Sequence, residues 1–226
     1  MKVLIKRANI VSPSSPFHGT LQDILIENGI IADIGNDLNH SADKTIEADG
    51  LHVSSGWVDC FANFCDPGQE FKETLETGAN AAAAGGFTQV MLIPNTSPVV
   101  YNKSQVEYLI QKSKELPVQI FPIGSITKNA EGKELSEMYD MYNTGAIAFS
   151  DGINPVQSSG ILQKALEYIA DCSRQLNAKI LYLTVNKNNT KAINAYYRAG
   201  FYLESEVVND IGKGYVMDDF VLAYKL

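Results

Sequence analysis

From Gly56 onward, apolar runs of strand length alternate with helical patterns, and this alternation narrows the possible folds more than any other feature of the chain. Strand–helix repeats of this kind build parallel sheets with helices on their faces. Strand signals fall at residues 57–64, 88–93, 118–123 and 146–150, and helical signals at 71–86, 104–115, 135–142 and 159–175. Ala79 to Ala84 allow the first helix to pack closely, Gly85-Gly86 stop it, and Ser104 is placed to cap the second. Four βα units result, half of an eightfold barrel. Ile161, Leu162, Ala165, Leu166 and Ile169 form one apolar stripe on the fourth helix.

Residues 1–55 read differently, as short strands joined by turns, at 3–10, 23–27, 30–34 and 44–48. Asn28-Gly29 between the second and third of these signals a two-residue hairpin. Pro13 to Pro16 form a surface loop. The apolar part of the start is too short for a signal peptide, and no apolar run approaches the eighteen residues of a membrane span. A net charge of −8 argues against a protein that reads a nucleic-acid backbone. Cys60, Cys65 and Cys172 show no framework spacing, so reduced thiols in a cytoplasmic protein are expected. His18, His40 and His52 have no metal-motif spacing either.

The stretch Asp59-Cys60-Phe61-Ala62-Asn63-Phe64-Cys65-Asp66-Pro67-Gly68-Gln69-Glu70 resembles the first barrel strand of the dihydroorotase branch of the amidohydrolases. So do Ala82 to Thr88, Pro94-Asn95-Thr96 and Ala148-Phe149-Ser150-Asp151-Gly152, which together make a specific match. The resemblance implies an N-terminal segment forming half of a small β-sandwich, followed by a zinc-bearing barrel that hydrolyses a cyclic amide. The positions of the family's two zinc-binding histidines hold Phe61 and Asn63, and that of its substrate-carboxylate arginine holds Cys65. Phenylalanine has no lone pair to offer, and an amide oxygen is a poor zinc ligand beside imidazole. Phe61 is expected to fill the space a metal would take. Asn95 matches the family's substrate-binding asparagine and Asp151 a metal-centre aspartate. The plainer reading of both is a strand-ending turn.

After about residue 175 a second resemblance begins. The strand signal at 181–186, then Asn189, Ala192, Tyr196, Gly200-Phe201 and a last strand at 215–224, is similar to the C-terminal part of GNAT-type N-acyltransferases, a βαββ order. There the residues matching Asn189 and Tyr196 face the acyl-CoA thioester, the tyrosine as general acid. The plainer reading makes Asn189 a helix cap and Tyr196 a residue of an amphipathic face. No Gly-rich pyrophosphate cradle precedes residue 181, so acetyl-CoA binding is not expected.

The expected architecture is therefore α/β in three parts. A β segment spans 1–55, a dihydroorotase-like half-barrel 56–175, and an acyltransferase-like tail 176–226. The join reads as a natural fusion, an engineered recombinant or an assembly artefact. The expected function is that of a catalytically silent dihydroorotase-like protein with no zinc. By resemblance, it is a structural partner of aspartate transcarbamoylase in pyrimidine biosynthesis. The alternative is acyl-CoA binding by the tail. Half a barrel leaves open sheet edges, so a homo-oligomer is expected, with the tail strands extending the sheet.

Overall fold

A computed structural model describes residues 1–212 and 214–226. The chain divides into two compact units, Met1–Trp57 and Val58–Leu226.

In the first unit β1 (Lys2–Val11) pairs antiparallel with β2 (Leu21–Glu27), which pairs antiparallel with β3 (Ile30–Gly35). The short β4 (Lys44–Glu47) and β5 (His52–Ser54) both run parallel to β1. Asn28 and Gly29 join β2 to β3 with φ of 52° and 81°, the doubly left-handed turn that matches strand twist. Leu4, Ala8, Ile10, Ile24 and Leu25 are buried, with Ile24 and Leu25 on opposite faces of β2. The β1 register shifts between Ile5 and Ala8, where the buried Asp23 carboxylate accepts from the Arg7 N–H at 2.8 Å, the Leu38 N–H at 3.0 Å and the Lys6 ammonium. A bulge leaves backbone donors without a ladder partner, and a buried carboxylate supplies one.

The second unit carries the strand–helix alternation. Its sheet has the order β6 (Trp57–Ala62), β7 (Phe87–Leu92), β8 (Gln119–Gly124), β9 (Ala148–Phe149), with β7–β8 and β8–β9 parallel. The sheet curls into the expected half-barrel. Helices α1 (Leu75–Ala84), α2 (Lys103–Lys112), α3 (Met138–Thr144) and α4 (Ser159–Gln175) alternate with the strands. Leu75, Val90, Leu92, Leu109, Met138 and Met141 form the core between strands and helices. Burying a side chain of that size stabilises by about 2 kcal/mol relative to leaving it in water. Gly78 on α1 lies against the Phe64 ring, and a Cβ there would sit 2.5 Å from it. The absence of a side chain sets how closely α1 approaches the end of β6.

Three helix starts differ from the sequence expectation, and the simplest is α3, which begins at Met138 and not at 135 because Leu135 forms an antiparallel bridge with Thr127. Helix α1 begins only at Leu75, because Thr74 and Thr77 form a reciprocal capping box that ends the loop before it. Helix α2 is capped by Asn102, not Ser104. The Asn102 side chain accepts from the Ser104 and Gln105 N–H groups, and the Gln105 side chain accepts from the Asn102 N–H in return.

The last segment has the βαββ order: β10 (Ile180–Asn186), α5 (Thr190–Arg198), β11 (Tyr202–Gly212) and β12 (Tyr215–Lys225). These strands do not extend the parallel sheet, as had been expected of them. They form their own antiparallel sheet, β10-β12-β11, in which β10 pairs with β12 over its whole length, from Ile180 against Lys225 to Asn186 against Asp219. The hairpin β11–β12 closes locally, and β10 adds to the free edge of β12, itself remaining an edge strand of the sheet. Helix α4 serves both cores. Ala165 and Tyr168 pack into the first, while Leu166 packs with Val185, Ile193, Phe201 and Leu222 in the second. The expected single stripe is thus shared between two partners.

Candidate functional site at the strand ends

In parallel α/β sheets, functional groups collect at the carboxyl ends of the strands. Here β7 is followed by Pro94-Asn95-Thr96, β8 by Ser125 to Thr127, and β9 by Ser150-Asp151-Gly152. The three ends are tied together by side chains. Asp151 is buried, and both its oxygens are taken by one residue: Oδ1 accepts from the Thr127 N–H at 2.8 Å and Oδ2 from the Thr127 hydroxyl at 2.5 Å. The Thr127 Oγ1 in turn accepts from the Gly132 N–H at 2.9 Å. Asn95 clamps the same loop from the other side, its Nδ2 donating to the Asp151 carbonyl and its Oδ1 accepting from the Ile153 N–H, each at 3.1 Å. Gly152, with φ +64°, passes so close to Asn95 that a Cβ would lie 1.7 Å from Oδ1. Any side chain at 152 would push Asn95 aside.

The structure therefore brings Asn95 and Asp151 together, joined by Thr127, which the sequence reading did not single out. Its only signal was position: a hydroxyl shortly after a parallel strand, at the same end as the other two. Ser125 and Ser136, both buried, belong to the same layer. The Ser125 hydroxyl donates to the Thr127 carbonyl at 2.7 Å, and the Ser136 hydroxyl donates to the Ser125 carbonyl.

The β6 end is different. Ala62 packs against the helix-covered core, so alternation along the strand sends Phe61 to the opposite, concave face, where it is 54% exposed. It does not fill a core, as had been expected, because no described residue closes the concave side over it. Asn63 is exposed, and its Oδ1 accepts from the Cys65 N–H at 2.9 Å in a local turn. Just beyond, Asp66 is buried and carries three partners: the Leu75 N–H at 3.1 Å, the Tyr108 hydroxyl at 2.9 Å and the Lys112 ammonium at 2.9 Å. Burial pushes the Asp66 carboxyl up, but the Lys112 ammonium and the other two donors outweigh it and hold the group below its ordinary value. Hydrogen bonds to Tyr108 and Asp66 push Lys112 up to about 12. This cluster ties the β6–α1 loop to α2.

The tail residues stand apart. Asn189 caps α5, its Oδ1 accepting from the Ala192 N–H at 3.2 Å. Tyr196 packs edge-on against Phe201, ring centroids 5.9 Å apart, at the border of the second core. No hydrogen bond joins either to the strand-end cluster among the described residues.

Zinc requires three or four His, Cys, Asp or Glu donors converging on one point. No group of three such residues placed to hold a metal occurs among the described residues. Phe61 has no donor, the Asn63 amide oxygen is engaged, and both Asp151 oxygens are engaged. Among the described residues, the strand ends bring together no set of donors that would hold a metal.

A curled parallel sheet with helices between its strands and polar residues at its carboxyl ends is the architecture of (β/α)-barrel proteins. The dihydro-orotase-like family profile matches residues 51–203, more than half of the chain, and the chain belongs to that family. It is 45% identical over 167 residues to the dihydroorotase of Acetivibrio thermocellus, covering 74% of this chain and 39% of that protein. It is 35% identical over 199 residues to the dihydroorotase of Aquifex aeolicus, covering 85% of this chain and 47% of that one. Among solved structures, the L-hydantoinase (dihydropyrimidinase) of Arthrobacter aurescens superposes with a TM-score of 0.60 at 26% identity, over 76% of this chain and 39% of that one. The chain thus spans less than half the length of these relatives. The family match continues past residue 175, through β10 and α5, where the sequence reading had placed a change of family.

Proposed function

We propose that this chain is a catalytically silent member of the dihydro-orotase-like family, serving pyrimidine biosynthesis as a structural component and not as a hydrolase. The observation that carries this reading is Phe61 on β6 and Asn63 just past its end, together with an Asp151 whose two oxygens both accept from Thr127. Hydrolysis of a cyclic amide needs water activated near neutral pH, which in this fold calls for a metal with converging donors. It also needs a cation to hold the substrate carboxylate, and Cys65 stands at that position. Aspartate transcarbamoylase is the partner the family resemblance favours. Acyl-CoA chemistry in the tail has no support from geometry, since Asn189 and Tyr196 are occupied as a cap and a packing ring. The family match reaching residue 203 favours one lineage for β10 and α5 over a recombinant joint near 175.

The test is elemental analysis of the purified chain together with a dihydroorotate hydrolysis assay. No stoichiometric zinc and no turnover above the blank are expected. Phe61→His combined with Asn63→His should restore neither, because no further donors placed to complete a metal site occur among the described residues. One tightly held zinc per wild-type chain, or measurable turnover, would overturn the reading.

A further inference from the structure

We propose that Asn28 is a site of chemical self-modification. The Gly29 nitrogen attacks the Asn28 side-chain amide, ammonia leaves, and the asparagine becomes a mixture of aspartyl and isoaspartyl residues.

Such a reaction needs a backbone nitrogen free to reach the side-chain carbon of the residue before it, and the β2–β3 turn supplies one. Glycine carries no Cβ to crowd the approach, and a Cβ built at Gly29 would meet nothing within 4 Å. The Gly29 N–H makes no turn or loop hydrogen bond among the described residues, because the ladder closes just before it at the Glu27–Ile30 pair. The electrophile is equally open. Asn28 and Gly29 are both exposed, and Asn28 lines an open groove of about 460 Å³ with Lys2, Glu27 and Asp43, which admits water. The Asn28 Oδ1 accepts from the Met1 nitrogen at 3.0 Å. That bond draws charge from Cγ and stabilises the negative oxygen that forms on attack.

Two other turns in the chain provide the contrast. Asp151-Gly152 has the same small second residue, but the Gly152 N–H donates to the Ser150 hydroxyl at 3.0 Å, and Asp151 is buried with both oxygens bonded. Asp49-Gly50 is exposed, yet a carboxylate is a poorer electrophile than an amide and has no ammonia to lose. Asn28-Gly29 is the one Asn-Gly pair in the sequence.

The steps balance with water as the other reactant. The Gly29 nitrogen bonds to Cγ and gives its proton to solvent. The Cγ–Nδ2 bond breaks, ammonia departs, and a five-membered imide remains. Water then opens either carbonyl. Opening at Cγ leaves an ordinary aspartate, while opening at the main-chain carbonyl routes the backbone through Cγ and lengthens it by one carbon. Aspartate tolerates the left-handed φ of 52° at this position and keeps an oxygen for the Met1 nitrogen. The lengthened backbone no longer matches a two-residue turn, whose geometry sets the register of its strands. The isoaspartyl product should therefore loosen β3 from β2.

The test is peptide mapping of the full chain after several weeks in warm neutral buffer. Residue 28 should be heavier by one mass unit in most molecules, in two separable forms, before any other asparagine changes. An isoaspartyl methyltransferase should label one of those forms. Asn28→Gln, whose longer side chain has to close a six-membered ring, should change at that position roughly tenfold more slowly. Amide exchange along β3 should rise in the isoaspartyl form and stay at the wild-type level in Asn28→Asp. An intact Asn28 beside another converted asparagine, or equal rates in the wild type and Asn28→Gln, would overturn the site. Equal exchange in both products would overturn the loosening of the hairpin.

Discussion

The two sides of the strand-end mouth have the same backbone plan and opposite chemistry. At the ends of β7, β8 and β9, Asn95 and Thr127 both bond to Asp151, above the buried Ser125 and Ser136 hydroxyls. At the end of β6, an exposed phenylalanine is followed by an exposed asparagine in a local turn, and polar order resumes only at Asp66, which is turned toward α2. The difference teaches what holds polar residues in place when no metal is required of them. Asp151 is bound by its neighbours and so serves the loop it sits in. A buried polar network is stabilising only when every member is paired, which makes each member costly to remove.

The sharpest way to break this comparison is to remove one polar residue from each side. Asp151→Ala leaves both the N–H and the hydroxyl of Thr127 buried without an acceptor, and should cost about 3 kcal/mol in a urea titration. Asn63→Ala removes a solvent-exposed turn contact and should change stability by no more than about 0.5 kcal/mol. Equal costs would mean that the two sides are equally supported, and the contrast would fall.

The Asp66–Lys112 cluster sharpens it further through pH. Asp66 is held below its ordinary value of 3.8, so its contribution is complete above the unfolded-state carboxyl range and is lost as pH falls through the lowered value. Lys112 is pushed up from 10.5 to about 12, so its contribution is complete below 10.5 and is lost as pH rises towards 12. Stability should therefore be level across neutral pH and fall at both extremes. Asp66→Asn should remove the acid limb and cost about 2 kcal/mol at pH 7, discounted from a fully buried pair because the lysine side chain is 44% exposed. Melting temperatures from pH 2 to 11 would check it. An acid limb unchanged in Asp66→Asn would place the titrating groups elsewhere.

Much of this was legible in the sequence, and the exceptions have one cause. The four βα units, the Asn28-Gly29 hairpin and the extent of α4 are set by residues close together in the chain, and local patterns carry them. The β10–β12 pairing, the Thr127–Asp151 pair and the reach of Asp66 to Lys112 join residues 24 to 46 positions apart, and no local pattern specifies such partners. Phe61 shows the limit most clearly. Its identity excluded a metal ligand at once. Whether it would be buried depended on what closes the concave face, a property of the assembled sheet. The caps of α1 and α2 were local and still missed, because Thr74 and Asn102 act with partners three residues on, which a search for single capping residues overlooks.

The smallest expected effect lies in the tail and separates a cap from a cofactor contact. The side chain of Asn189 accepts one backbone N–H at the start of a nine-residue helix. Asn189→Ala should cost about 1 kcal/mol, the usual loss for an uncapped helix, and Asn189→Asp should recover most of it, since a carboxylate accepts the same N–H and suits the positive end of the helix. Neither change should alter binding of acetyl-CoA, which calorimetry on the wild-type chain should find absent. A residue that touched a thioester would behave in the opposite way: stability would be indifferent to the substitution, and a micromolar affinity would disappear with it. Helix α5 packs through Ile193 against Phe201 and Leu222, so a modest loss at its first turn should fray that end without releasing the helix from its sheet.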